Sequence, residues 1–168
     1  MANDYIVSSA HLAQSQMPEA SELEFALTMS NHAFHRWMVR CMAAAGAPGL
    51  SPLEVLVVHL VHHRDRPKTL ADICLVLNVE DTHLVSYAVK KLEGQGFVAT
   101  GRDGKEKTVA ITPKGFAACV EYGKLRDRLL VSSIKRLGFD PAEVSRLAAL
   151  LRALSGSYDQ AARAAAAM

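Results

Sequence analysis

A mainly α-helical fold with one small β-hairpin is predicted for this chain by three observations. Helix-start signatures recur along it, at Ser21, Ser51, Thr69, Asp81, Thr112 and Asp140. Apolar residues return after them at spacings of three and four, the period of a helix buried on one side. A single pair of β-rich runs, Phe97–Thr100 and Thr108–Ile111, flanks the polar segment Gly101–Lys107.

The composition fits one compact unit. Of 168 residues, 50% are hydrophobic and 21% charged, which is globular rather than disordered. The formal charge is only +2, with seven His, so no polybasic tail announces a partner. The longest uncharged stretches, Tyr5–Pro18 and Cys41–Leu53, fall short of the roughly 20 apolar residues a membrane helix needs. No membrane association is expected. Met1-Ala2-Asn3-Asp4 lacks the positive region of a secretory signal, and the expected compartment is the cytoplasm. Cys41, Cys74 and Cys119 form no CxxC pair, and an odd count suits a reducing compartment. They read as small buried hydrophobes.

Taken in order, Ser21-Glu22-Leu23-Glu24 is a capping box that starts a helix running from Glu22 toward Ala45. Gly46-Ala47-Pro48-Gly49 breaks it. Ser51-Pro52-Leu53-Glu54 repeats the signature with Pro at the first helical position, where its missing N–H costs nothing. The second helix, Pro52 to about His63, is apolar nearly all round, as befits a central helix. Thr69 caps a short third helix ending near Asn78, and Asp81 caps a fourth, Thr82 to about Glu93. Val85, Ala88, Val89 and Leu92 form the buried stripe of this fourth helix, which leaves Thr82, His83, Ser86, Tyr87 and Lys90 facing solvent.

The hairpin follows with a basic tip. Thr112-Pro113 opens another helix extending to about Leu137, and Asp140-Pro141-Ala142-Glu143 opens the last. In that last helix Val144, Leu147, Leu151, Leu154 and Tyr158 are spaced 3, 4, 3, 4, a seam that wants another helix. The Ala-rich tail Ala161–Met168 is expected to fray.

Helix, short helix, turn, helix and hairpin are the succession of a winged helix-turn-helix. Residues 1–50 are then an N-terminal arm and dimerisation helix, 51–111 the DNA-binding module, and 112–168 the C-terminal dimerisation helices, packed as one compact unit. Three stretches carry a family resemblance that spans Ser21 to Ala162. These are T-L-A-D-I-C at 69–74, V-S-Y-A-V-K-K-L-E-G-Q-G-F-V at 85–98, and the wing D-G-K at 103–105 followed by V-A-I-T-P-K-G at 109–115. They resemble the first helix of the helix-turn-helix, the recognition helix with its Leu-Glu-x-x-Gly exit, and the Asp-x-Arg wing with Leu-Thr-x-x-Gly of the MarR family of bacterial transcription regulators. Two positions depart from that pattern. Lys105 stands where the family wing carries Arg, so weaker minor-groove discrimination is expected; Tyr87 stands where many relatives have a basic residue, so the family's specific base contacts do not carry across.

The resemblance implies a homodimeric transcription regulator, a repressor acting on a near-palindromic double-stranded DNA operator. Thr82, His83, Ser86 and Tyr87 are assigned to base edges, Lys90 and Lys91 to phosphates, and Arg102 and Lys105 to the wing, with Asp103 orienting a basic neighbour. From Lys90 to Lys107 there are five basic against three acidic residues. That charge is too small for one module to bind tightly, which makes a dimer necessary. A small-molecule effector is expected in the crevice beside the dimer helices, lined by His35, Trp37, Met38, Met42, His59 and His63.

Two alternatives differ in class. His32 and His35, and the cluster His59, His62 and His63, carry the reading of a metal-responsive regulator, although no acidic ligand motif accompanies them. No metal site and no cofactor are assigned. The low net charge carries the reading of a winged helix used for protein contacts. No phosphate loop, HExxH, GxSxG or CxxC occurs, so an enzyme is not expected.

Overall fold

The computed structural model describes residues 5–9, 11–14 and 16–168; Met1–Asp4, on which the reading of a missing secretory signal rests, lie outside them. The chain divides into two compact units, Met1–Lys124 and Leu125–Met168.

In the first unit, α1 spans Pro18–Ala44 with Pro at its first turn. The helix therefore begins before the capping box expected at Ser21. Ser21 lies inside it and donates its hydroxyl to the Leu12 carbonyl at 2.9 Å. The second box forms as the sequence predicts: α2 is Pro52–His62, the Ser51 hydroxyl accepts from Glu54 N, and the Glu54 carboxylate accepts from Ser51 N. A two-residue strand, β1 (Lys68–Thr69), leads into α3 (Leu70–Leu77), capped reciprocally by Thr69 and Asp72. The turn to α4 (Thr82–Gly94) passes through Asn78 in the left-handed conformation, φ 53°, which Asn tolerates better than most residues.

The hairpin strands are longer than the sequence reading allowed. β2 runs Val98–Asp103 and β3 Glu106–Ile111, joined by the tight turn Gly104–Lys105, where Gly104 has φ +58°. All pairing is antiparallel in the order β1-β3-β2. Nothing local signals β1, because two residues show no alternation and exist as a strand only through β3. Met38, Met42, Val55, Val58, Val61, Ile73, Val85, Val89, Leu92 and Val109 are fully buried and form the core. α5 (Pro113–Arg126) follows the sheet.

In the second unit a π-helical turn, Asp127–Val131, precedes α6 (Ser132–Arg136). The helix expected from Pro113 to Leu137 is thus interrupted by a local change of period. α7 is Pro141–Ala166, with the capping box of Asp140 and Glu143 formed. It stays helical through most of the tail expected to fray, consistent with alanine's helix propensity. None of its residues is buried; of its 3, 4, 3, 4 seam, Val144, Leu147 and Tyr158 are 43%, 56% and 42% exposed.

The three cysteines are buried and free. Burial pushes the Cys41 thiol up and that of Cys119 to about 11, the opposite of what a reactive thiolate requires.

Candidate nucleic-acid interface

The interface is built on α4 and the hairpin. Asp81 accepts from His83 N at 2.8 Å and fixes the first turn of α4, while Val85, Ala88, Val89 and Leu92 seat the helix on the core. The opposite face carries Thr82, His83 and Lys90 exposed, Ser86 half-buried and Tyr87 71% exposed. Five of the sequence-assigned side chains therefore share one accessible face. Leu84, 54% exposed on the flank of that face, was missed. Its exposure depends on which turn of α4 meets α3, which helical period alone does not reveal.

Lys91 departs from its assignment. Its ammonium lies 2.9 Å from Glu54 Oε2 and donates to the Gly49 carbonyl at 3.1 Å. The Glu54 side chain is only 5% exposed, and a buried carboxylate needs that partner. Lys91 therefore anchors α4 to the α1–α2 turn and to the cap of α2.

The wing is tied to the same helix. Glu93 Oε1 accepts from the backbone N–H of Thr100 at 3.0 Å and from its hydroxyl. Those two bonds hold the Glu93 carboxyl below the usual carboxylate range. The sequence marks Glu93 as the end of the helix and part of its exit motif, without showing this bond to the wing. Beyond this link Arg102, Lys105 and Lys107 line a concavity of about 430 Å³ with Thr100 and Gly101, which makes this a cationic surface. Asp103 does not orient a basic neighbour: it forms no ion pair among the described residues, and the tight turn sets it directly across from Glu106.

The six effector-assigned residues are not brought together as one lining. Met38 and Met42 are 1% and 0% exposed and belong to the core, so they present no surface to a ligand. His35 and Trp37 are half-buried. His59 packs edge-on against Tyr122 at 4.4 Å and His62 against Phe116 at 5.0 Å, while His63 is exposed and lines a separate cavity. Among the described residues no three His, Cys, Asp or Glu side chains come together to hold a metal ion.

The half-buried His59 ring is expected to make stability pH-dependent. Burial, with His62 adding, holds its pKa below the usual histidine value, and its Nε2 has no hydrogen-bond partner among the described residues. Because the folded pKa lies below the unfolded one, the unfolded chain takes up this proton first. The contribution is fully present above about pH 6.5 and is lost as pH falls below it. Urea unfolding at pH 7.5 and 5.5 is expected to show a loss of midpoint at the lower pH that is smaller in His59→Gln. Equal losses in the two proteins would remove His59 from the acid limb.

Comparison with known proteins places this geometry. Residues 50–115 match the family model of a winged helix DNA-binding domain. No protein of curated function matches the chain in sequence. The fold is shared with a cysteine-to-serine mutant of MarR from E. coli complexed with operator DNA, at 19% identity and TM-score 0.66 over 84% of this chain and 99% of that one. It is shared with a MarR family regulator from Neisseria meningitidis, at 18% identity and TM-score 0.64 over 88% and 96%. The transcriptional regulator BldR from Sulfolobus solfataricus aligns at 20% identity and TM-score 0.62 over 84% and 99%. Among the described residues no helix is long and apolar enough to cross a membrane.

Proposed function

We propose that this chain, a winged helix DNA-binding domain carried in the fold of MarR-family regulators, is a cytoplasmic transcription repressor that binds a near-palindromic duplex operator as a homodimer. The observation that carries the reading is the face of α4: hydroxyls, an imidazole, an exposed aromatic and Lys90 on one accessible side, beside a cationic wing held to the same helix by Glu93. Such a helix fits the major groove, where donors, acceptors and thymine methyls distinguish all four base pairs. Thr82, His83, Ser86 and Tyr87 read base edges, Lys90 meets a phosphate, and Arg102 and Lys105 serve the wing. The unburied seam of α7 supports the homodimer, since such a seam is stable when a second helix covers it. Half-sites then lie roughly 10 bp apart. The effector reading rests on His35, Trp37 and His59, the half-buried members of its set; binding must differ between two dimer geometries to change DNA affinity.

Selection from a pool of randomised duplexes at physiological salt tests this. The folded protein is expected to enrich a near-palindrome. Tyr87→Ala and Ser86→Ala are each expected to relax preference at one or two symmetric positions, where a base pair contributes about 1–3 kcal/mol. Undiminished specificity in both variants would remove α4 as the reader. A second reading, contact with a protein, is favoured by Leu75 and Val76 of α3, which are 81% and 63% exposed. It predicts that folded protein enriches no sequence at any salt concentration.

A further inference from the structure

The segment between α2 and α3 forms a second cationic site that neither the recognition helix nor the wing uses. His63, Arg64, Arg66 and Lys68 line a cavity of about 260 Å³ together with Leu60, Asp72 and Val76. The Lys68 ammonium, on a residue only 6% exposed, donates to the carbonyls of His63 at 2.8 Å and Arg66 at 2.6 Å. It thereby ties together the backbone on which the flanking basic residues of the lining stand. Arg64 stands in the left-handed region, φ 62° and ψ 17°, a conformation unfavourable for a non-glycine residue that persists where surrounding contacts impose it.

The charges are unbalanced. Residues 63–68 hold three fixed cations, Arg64, Arg66 and Lys68, against one acid, Asp65. Arg64 and Arg66 form no ion pair among the described residues. The acid lining the cavity, Asp72, accepts from Thr69 N at 2.9 Å through its Oδ2 to cap α3, and the Thr69 bonds, with Arg66 and Lys68 adding, hold its carboxyl below the usual range; three cations against this one carboxylate leave the lining with two positive charges in excess. The result is a recess lined by two arginines, with Leu60 and Val76 adding apolar lining. Guanidinium forks match phosphate oxygens in pairs.

We infer that this cavity binds a phosphate group through Arg64 and Arg66, on a loop preformed by Lys68. The same chemistry is offered by a phosphate of the DNA backbone and by a small phosphate-bearing molecule whose body rests on Leu60 and Val76. The site lies outside the residues assigned to DNA above, and its occupancy does not depend on that assignment.

The test is titration of the full chain with inorganic phosphate at constant ionic strength, followed through backbone amide shifts of residues 60–72. Saturable shifts are expected. Arg66→Gln and Arg64→Gly are each expected to weaken them about tenfold or more, as loss of a charge-assisted bond implies. Glycine adopts the left-handed conformation freely, so Arg64→Gly removes the guanidinium without straining the loop. Arg152→Gln, on α7, is expected to leave the titration unchanged. Absence of saturation, or equal shifts in all four proteins, overturns the inference. The source of the phosphate is read from DNA affinity against salt. Arg66→Gln flattens the slope by about one if the backbone supplies it, and leaves the slope alone if a free molecule does. If the chain binds no DNA, the phosphate titration still decides the site.

Discussion

Gly115→Ala is expected to lower the thermal midpoint by about 10 °C or more, since it creates the largest clash that an added Cβ meets at any glycine of this chain. A Cβ at position 115 would stand 2.1 Å from the Phe97 carbonyl oxygen and 2.6 Å from Ile111 Cδ1. That carbonyl cannot step aside. It accepts from Thr112 N at 3.2 Å and shares the single Thr112 hydroxyl proton, at 3.0 Å, with the Gly96 carbonyl at 2.7 Å, while that hydroxyl oxygen accepts from Gly115 N at 3.1 Å. The start of α5 is knotted to the turn between α4 and β2, so the methyl must push helix from sheet and break bonds on both sides. Overpacking typically costs about 1–3 kcal/mol and occasionally more; with rigid backbone on the other side of the clash, about 3–5 kcal/mol is expected here, and each kcal/mol moves the midpoint of a chain this size by about 2–4 °C. Gly123→Ala is the control, because nothing lies within 4 Å of its added Cβ. Inside a helix that change is expected to stabilise by about 0.5–1 kcal/mol. Melting curves followed by circular dichroism check both, and a Gly115→Ala midpoint within 2 °C of the parent, on the order of one surface substitution, would show that the knot can open.

The contrast shows what the sequence could and could not say. The run I-T-P-K-G was legible as a motif by resemblance, yet its reason is tertiary: Gly115 must be glycine because of a carbonyl 18 residues earlier in the chain. Caps were legible wherever the first turn was also the first helical turn, as at Ser51, Thr69, Asp81 and Asp140. Ser21 carried the same signature, but Pro18 had already started the helix. A capping box is a local pattern and does not register what precedes it. The buried stripe of α4 followed from periodicity, and with it the exposed face, because a helix offers only one side to a core. The partners of Lys91, the link from Glu93 to Thr100 and the cavity behind Arg64 and Arg66 join residues from different elements. Residue identity gave their charge without showing where the charge would be held.

Lys90 and Lys91, adjacent and chemically identical, are expected to fail in opposite ways. Lys91→Met strips the buried Glu54 carboxylate of its cation and leaves it only the Ser51 N–H at 2.8 Å. Removing one partner of a fully buried pair costs about 3–5 kcal/mol. Because the Lys91 side chain is 36% exposed, water screens part of this, and about 2 kcal/mol is expected. Glu54→Gln in the same chain is expected to restore much of the loss, since the amide oxygen can still accept from Ser51 N without a charge to bury; the double variant then loses less than the sum of the two singles. Lys90→Met touches no such pair. Its ammonium stands on the exposed face of α4, so stability stays within about 0.5 kcal/mol. DNA binding divides the same two residues in reverse. Lys90→Met is expected to weaken all sequences and flatten the dependence of affinity on salt by about one phosphate. Lys91→Met leaves that slope as it was, measured where the variant is still folded, because its ammonium was never released to a phosphate. A flattened slope in Lys91→Met with unchanged stability would mean that Lys91 leaves Glu54 when DNA arrives, and that α4 is held on the groove by other contacts.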